Sequence, residues 1–135
     1  MASRPLALRL AVLVAAAAAT ALGAWLGAWW VPFLVGLAAG ALGRARARGV
    51  MPPAVAGAVL GWAIPLWALA LDGQPVGATA KVIAALAGLP PHAWVTVTVV
   101  LLLAALQVLA GAWLARGVIP RRPEAGAADA NIGQA

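Results

Sequence analysis

Cysteine and tyrosine are absent from this 135-residue chain, and only three of its residues are acidic. Without cysteine the protein has no disulfide framework, no thiolate nucleophile and no cysteine-ligated metal site. Charged residues make up 9% of the chain, whereas an average soluble domain carries about 25%. Nine basic and three acidic side chains cannot cover the surface that a small soluble protein exposes to water. The composition also excludes intrinsic disorder, which requires low hydrophobicity and high charge.

Hydrophobic residues, by contrast, make up 65% of the chain and predict an all-α membrane protein. A membrane-spanning helix needs about 20 mostly apolar residues. No formal charge occurs in residues 10–43, and one straight helix of that length would reach about 51 Å, well beyond a hydrocarbon core of about 30 Å. We therefore predict that the chain folds back within residues 27–32, where a glycine favours a helix end and a proline favours a helix start.

This pattern predicts a four-transmembrane-helix bundle that forms a single polytopic domain, residues 1–116. The four predicted spans cover residues 6–26, 31–44, 52–71 and 93–115. Between spans three and four, apolar residues recur at helical spacing over residues 79–89, which are too few to cross a bilayer. We expect a short interfacial or re-entrant helix there. Residues 117–135 are rich in alanine and polar residues, and they predict a flexible cytoplasmic tail.

The distribution of arginine predicts the orientation, because positive residues near the ends of spans collect on the cytoplasmic side. In a four-span arrangement all eight arginines fall on one side, and Lys81 falls on the other. We therefore predict a multi-pass protein of the plasma (inner) membrane with both termini cytoplasmic. An alternative is that residues 1 to 21–24 are a cleaved secretory signal peptide, which would leave three spans in the same orientation.

Small residues at fixed spacing predict how the helices pack. Gly36 and Gly40, and likewise Gly57 and Gly61, have the GxxxG spacing that lets helix backbones approach closely in lipid. We interpret these candidate packing glycines first as contacts within the bundle and second as an oligomer interface.

Polar candidates are few. Gln107, near the middle of span four, is the most unusual polar residue, and it would either hydrogen-bond a neighbouring helix or line a pore. Arg44, Arg46 and Arg48 form a compact basic cluster. The cluster predicts contact with anionic lipid headgroups on the cytoplasmic side, or with an acidic cytoplasmic partner, and not with nucleic acid.

The residues of catalysis are scarce. The only carboxylate side chains are those of Asp72, Glu124 and Asp129, and the four-span topology separates the first from the other two. His92 is the sole histidine. We therefore predict no acid–base pair, no metal-ligand set and no cofactor, and hence no enzyme.

We expect an accessory or scaffold subunit, or a self-assembling helical bundle, that forms a homo-oligomer or part of a larger membrane complex. The alternative function is a small uncoupled transporter or channel formed by a homo-oligomer. Its path would be lined by Gln107, Thr96, Thr98 and the outer segment around Lys81 and His92.

Overall fold

The computed structural model describes residues 3–45 and 49–118, and their regular secondary structure is entirely helical. These residues form five helices and no strand, which confirms the all-helical prediction. The helices are α1 (Ser3–Trp25), α2 (Val31–Ala45), α3 (Met51–Leu71), α4 (Val76–Leu86) and α5 (Ala93–Val118).

Three of these helices are long and apolar enough to cross a membrane. They are α1, over Leu6–Trp25, together with α3 and α5 over their full lengths. The other two are shorter, with 15 residues in α2 and 11 in α4. At 1.5 Å per residue α2 is about 22 Å long, below the usual length of a span. Helix length and composition therefore support three spans, and the fourth needs a separate argument.

The short helix before α5 is displaced from its predicted position at residues 79–89. It begins after Pro75, because proline suits the start of a helix, and its last residue is Leu86. Gly88 then adopts a φ of +71°, a conformation that favours glycine after a helix end. Both predicted ends were thus three residues too late. At the other end of the chain, α5 includes the first two residues of the predicted tail, and residues 119–135 lie outside the described part.

The helices α1, α2, α3 and α5 pack as two parallel pairs. In the first pair, Gly57 of α3 faces Ala16 of α1, and one turn further along both helices Gly61 faces Thr20. Because the residue numbers rise together, α1 and α3 run in the same direction. The turn between α1 and α2 reverses the chain, and Gly23 in the last turns of α1 faces Val31 at the start of α2.

The second pair repeats this arrangement in the opposite direction. Gly36 of α2 faces Val108 of α5, and Gly40 faces Ala112. The helices α2 and α5 are therefore parallel to each other and antiparallel to α1 and α3. One end of the bundle, which we call the arginine end, carries Arg9 near the start of α1 and Arg116 near the end of α5.

At the end of the bundle opposite the arginine end, α3 and α5 extend further than the turn between α1 and α2. Since Gly61 faces Thr20, the last turn of α1 is level with Pro65, and α3 continues about 9 Å further to Leu71. By the same reasoning α5 extends about 15 Å beyond the start of α2. Among the described elements, α4 contacts these extensions of α5 and α3 and does not contact α1 or α2.

The core is built from small residues. Its central cluster consists of Ala39, Val50, Ala54, Ala58 and Val108, contributed by α2, α3, α5 and the residue before α3. Large apolar side chains lie instead on the outside, among them Leu60, Trp67, Leu102, Leu106 and Trp113. A small-residue interior with a large-residue exterior is compatible with a lipid solvent, in which close backbone approach holds helices together.

Candidate functional site

The contact between α2 and α5 is made by backbone against backbone. A Cβ added to Gly36 would overlap the carbonyl group of Val108, and one added to Gly111 would meet the α2 backbone in the same way. At Gly40 the added Cβ would lie 2.7 Å from the carbonyl oxygen of Ala112. Only glycine fits these positions without moving a helix. The backbones of α2 and α5 are therefore in direct contact along about two turns.

The contact between α1 and α3 uses glycine on one helix only. A Cβ on Gly57 would lie 2.5 Å from the carbonyl oxygen of Leu13, and one on Gly61 would lie 2.6 Å from that of Ala17 and 2.7 Å from the Cβ of Thr20. The structure therefore places all four candidate packing glycines between helices of one chain. All four are buried, and none lies on the outer surface of the bundle.

Gln107 lies beside the direct backbone contact of α2 and α5, next to the fully buried Val108. Its side chain is half-buried, and its Oε1 atom is buried without a hydrogen-bond partner in the described part of the chain. Burying a polar atom without a hydrogen bond is unfavourable in an apolar environment. The predicted interhelical bond is therefore not formed within these residues, and the amide still requires a partner.

Two more buried polar atoms lack a partner among the described residues, and both flank Gly61. One is Oγ1 of Thr20, a residue with 0% exposure that packs on this glycine, and the other is Nε1 of Trp62 on α3. Nothing in the sequence singled out Thr20, because a helical threonine usually bonds to a carbonyl one turn earlier. The burial of its hydroxyl depends on the α1–α3 contact, which only the structure reveals.

The polar residues of the predicted path do not converge on Gln107. Thr96 donates a hydrogen bond of 2.7 Å from its Oγ1 to the carbonyl oxygen of Ala80, which attaches α4 to α5. Thr96 precedes Gln107 by about 16 Å along the helix. Lys81 on α4 and His92 in the loop before α5 are both exposed, at the same end of the bundle as Thr96.

The imidazole ring of His92 lies against an aromatic neighbour. Its ring stacks on that of Trp94, with centroids 6.4 Å apart and planes inclined by 12°. Elsewhere in residues 3–45 and 49–118, no three histidine, cysteine, aspartate or glutamate side chains come together as a metal-binding group. The absence of enzymatic activity stays a prediction.

At the arginine end, the side chain of Arg9 lies over the connection between α2 and α3. Its Nη2 atom is 3.0 Å from the position that a Cβ on Gly49 would occupy. Sequence analysis did not predict this proximity, which depends on the parallel packing of α1 and α3. The predicted basic cluster at residues 44–48 lies outside the part of the chain whose side chains are described.

An apolar cleft of about 240 Å³ lies between α1, α2 and α3 and opens to the outside of the bundle. Its lining side chains are all alanine, valine or leucine, and they include Val12, Val35, Ala39, Val50 and Ala54. Arg9 stands one turn before Val12, and Gly49 is adjacent to Val50. The guanidinium group of Arg9 therefore lies at the arginine end of the cleft.

Together these features define an apolar helical bundle that is compatible with a membrane protein, with three helices able to span the bilayer. The chain matches no protein-family model, no curated protein and no solved structure. Its function must therefore be argued from its own geometry.

Proposed function

We propose that the protein is a non-enzymatic, self-assembling four-span module of the plasma (inner) membrane. In this proposal, copies of the chain associate through α5, either as a homo-oligomer or within a larger complex. The observation that carries the proposal is the unpartnered amide oxygen of Gln107, halfway along an apolar helix of 26 residues. The bilayer core offers no water to this oxygen. Because the Gln107 side chain is only half-buried, a rotation of its amide group would bring it to the bundle surface, where a second copy can supply the missing hydrogen bond.

The course of the chain supports four crossings. Since α1 and α3 run in the same direction, the chain must return across the bundle between them. The only helix described between them is α2, which is about 22 Å long. Its direct backbone contact with α5 supports a crossing by so short a helix. A short span is accommodated by local thinning of the bilayer.

The charge distribution supports the orientation. Arg9 and Arg116 lie at the arginine end, whereas Lys81 lies at the opposite end on α4. Under the positive-inside rule, the arginine end faces the cytoplasm, so both termini are cytoplasmic.

Cysteine labelling tests the four crossings, because the chain has no cysteine of its own. Single variants Ser3→Cys, Ala47→Cys and Gln74→Cys are treated in intact cells with a maleimide that does not cross membranes. We expect labelling at position 74 in intact cells, and labelling at positions 3 and 47 only after permeabilisation. If positions 3 and 47 react from opposite faces, α2 does not cross and the four-span proposal is wrong.

The variant Gln107→Leu tests the association. An interhelical hydrogen bond in a membrane contributes about 0.6–2 kcal/mol, so we expect the association constant to fall about 3- to 30-fold. The measurement is energy transfer between donor- and acceptor-labelled copies diluted into lipid vesicles. Gln74→Leu makes the same substitution in the loop before α4 and serves as the control. Unchanged energy transfer in Gln107→Leu would contradict assembly through this residue.

The channel alternative predicts a different outcome for the same variant. If the Gln107 amide lines a path, Gln107→Leu would keep the energy transfer of the wild type and lose solute flux across vesicles. Two observations favour assembly over this alternative. The described cleft is apolar, and Thr96 lies about 16 Å before Gln107 along α5, with Lys81 on α4 and His92 in the loop before α5 at the same end of the bundle as Thr96.

A further inference from the structure

We infer that the cleft between α1, α2 and α3 binds one acyl chain of an anionic phospholipid whose phosphate contacts Arg9. This inference rests on the membrane setting and orientation of the proposed function. It concerns a different face of the bundle from Gln107 and assigns a specific lipid site.

The lining of the cleft selects a hydrocarbon. Its volume of about 240 Å³ has room for several water molecules, but none of the residues that line it has a polar side chain. Water in such a cleft would find almost no hydrogen-bond partner, so the cleft favours an apolar occupant. Because the cleft opens to the outside of the bundle, a lipid chain from the surrounding bilayer can enter it directly.

The arginine end of the cleft selects an anion. The exposed side chain of Arg9 places its guanidinium group over Gly49, where the positive end of the α3 dipole also lies. Pro52 and Pro53 have no N–H group, so the first turn of α3 offers few backbone donors to a ligand. The guanidinium supplies these donors in a planar fork that matches a phosphate group.

The cleft and Arg9 together require a ligand that joins an apolar chain to an anionic group. A phospholipid with a net negative headgroup meets both requirements. Phosphatidylcholine has the same chains and phosphate but no net charge, and inorganic phosphate has the charge without the chain. These two probes therefore separate the two halves of the proposed site.

Retained lipid provides the test of the anionic half. The full chain, purified in mild detergent, is equilibrated with equal amounts of phosphatidylglycerol and phosphatidylcholine, and bound lipid is counted by native mass spectrometry. We expect one phosphatidylglycerol per chain, and about a fivefold loss of binding in Arg9→Gln. Arg116→Gln removes the same charge at the same end of the bundle and is expected to retain the lipid.

The variant Ala15→Leu tests the apolar half. Ala15 lines the cleft and is exposed, so leucine fills the cleft without entering the packed core. Ala18→Leu adds the same bulk to an exposed position of α1 outside the cleft. We expect only Ala15→Leu to lose the bound phosphatidylglycerol, and we expect millimolar inorganic phosphate not to displace it.

Three outcomes would overturn the inference. They are equal retention of the two lipids, equal retention in Arg9→Gln and Arg116→Gln, and equal retention in Ala15→Leu and Ala18→Leu. Energy transfer between copies is measured on the same samples. Loss of lipid with normal energy transfer supports the lipid site separately from self-assembly. Bound lipid in a protein that does not associate would instead refute only the assembly.

Discussion

The two helix pairs differ in which helices carry glycine at their closest contacts. The α2–α5 pair has glycine on both helices, so Gly36 lies against the carbonyl of Val108 and Gly111 lies against the α2 backbone. The α1–α3 pair has glycine on α3 only, and its two glycines lie against both carbonyl groups and side chains of α1. One of those side chains is Thr20, whose hydroxyl is buried there without a partner in the described residues.

This difference matches the lengths of the helices. In lipid there is no hydrophobic driving force between helices, so the stability of a pair depends on packing and hydrogen bonds. The helix α2 is the shortest of the four in the pairs and has the fewest residues for such contacts. Glycine on both α2 and α5 compensates for this shorter length, whereas the longer α1 and α3 pack with glycine on α3 alone.

Of the variants that test this difference between the two pairs, Gly36→Ala is expected to change the free energy of unfolding most. The added Cβ would overlap the backbone of α5, which can relieve the overlap only by moving away. We expect the free energy of unfolding to fall by about 1–3 kcal/mol, the usual cost of overpacking. The measurement is an SDS titration in detergent micelles, followed by far-ultraviolet circular dichroism.

Gly43→Ala is the matched control for this substitution. It lies two turns further along the same helix, and an added Cβ there would meet nothing within 4 Å. Because alanine favours a helix over glycine, we expect an unchanged or higher free energy of unfolding, by up to about 1 kcal/mol. A similar loss of stability in both variants would mean that the backbones of α2 and α5 are not in direct contact at Gly36.

The positions of the four longer helices could be predicted well from the sequence, because long apolar runs and the prolines at 32 and 52 constrain them. The exception is α4, where the prediction followed the apolar face at residues 79–89. The turn chemistry at Pro75 and Gly88 instead decided the ends. Local backbone preference outweighed periodicity because α4 is short and buries only Ala80 and Ala84.

The partners of each helix could not be predicted. A GxxxG spacing indicates that a helix has a face suited to close contact, but it does not identify the opposite helix. Gly57 and Gly36 therefore carry the same sequence signal, although one packs on α1 and the other on α5. The cleft, the position of Arg9 over Gly49 and the burial of Thr20 all depend on this pairing. For Gln107, the unusual polarity was visible in the sequence, but its lack of a partner was not.

Thr20→Val tests the α1–α3 pair and is expected to have a smaller effect. It should raise the free energy of unfolding, whereas Gly36→Ala should lower it. Valine has nearly the same shape as threonine, so it fills the space beside Gly61 and removes a hydroxyl that no described residue satisfies. We expect the free energy of unfolding to rise by about 1 kcal/mol in the same SDS titration. Thr96→Val provides the contrast, because it loses the hydrogen bond to the carbonyl of Ala80 and is expected to destabilise the protein by about 0.6 kcal/mol. If Thr20→Val is destabilising as well, the Thr20 hydroxyl is hydrogen-bonded in the membrane, and the α1–α3 contact is as well satisfied as the α2–α5 contact.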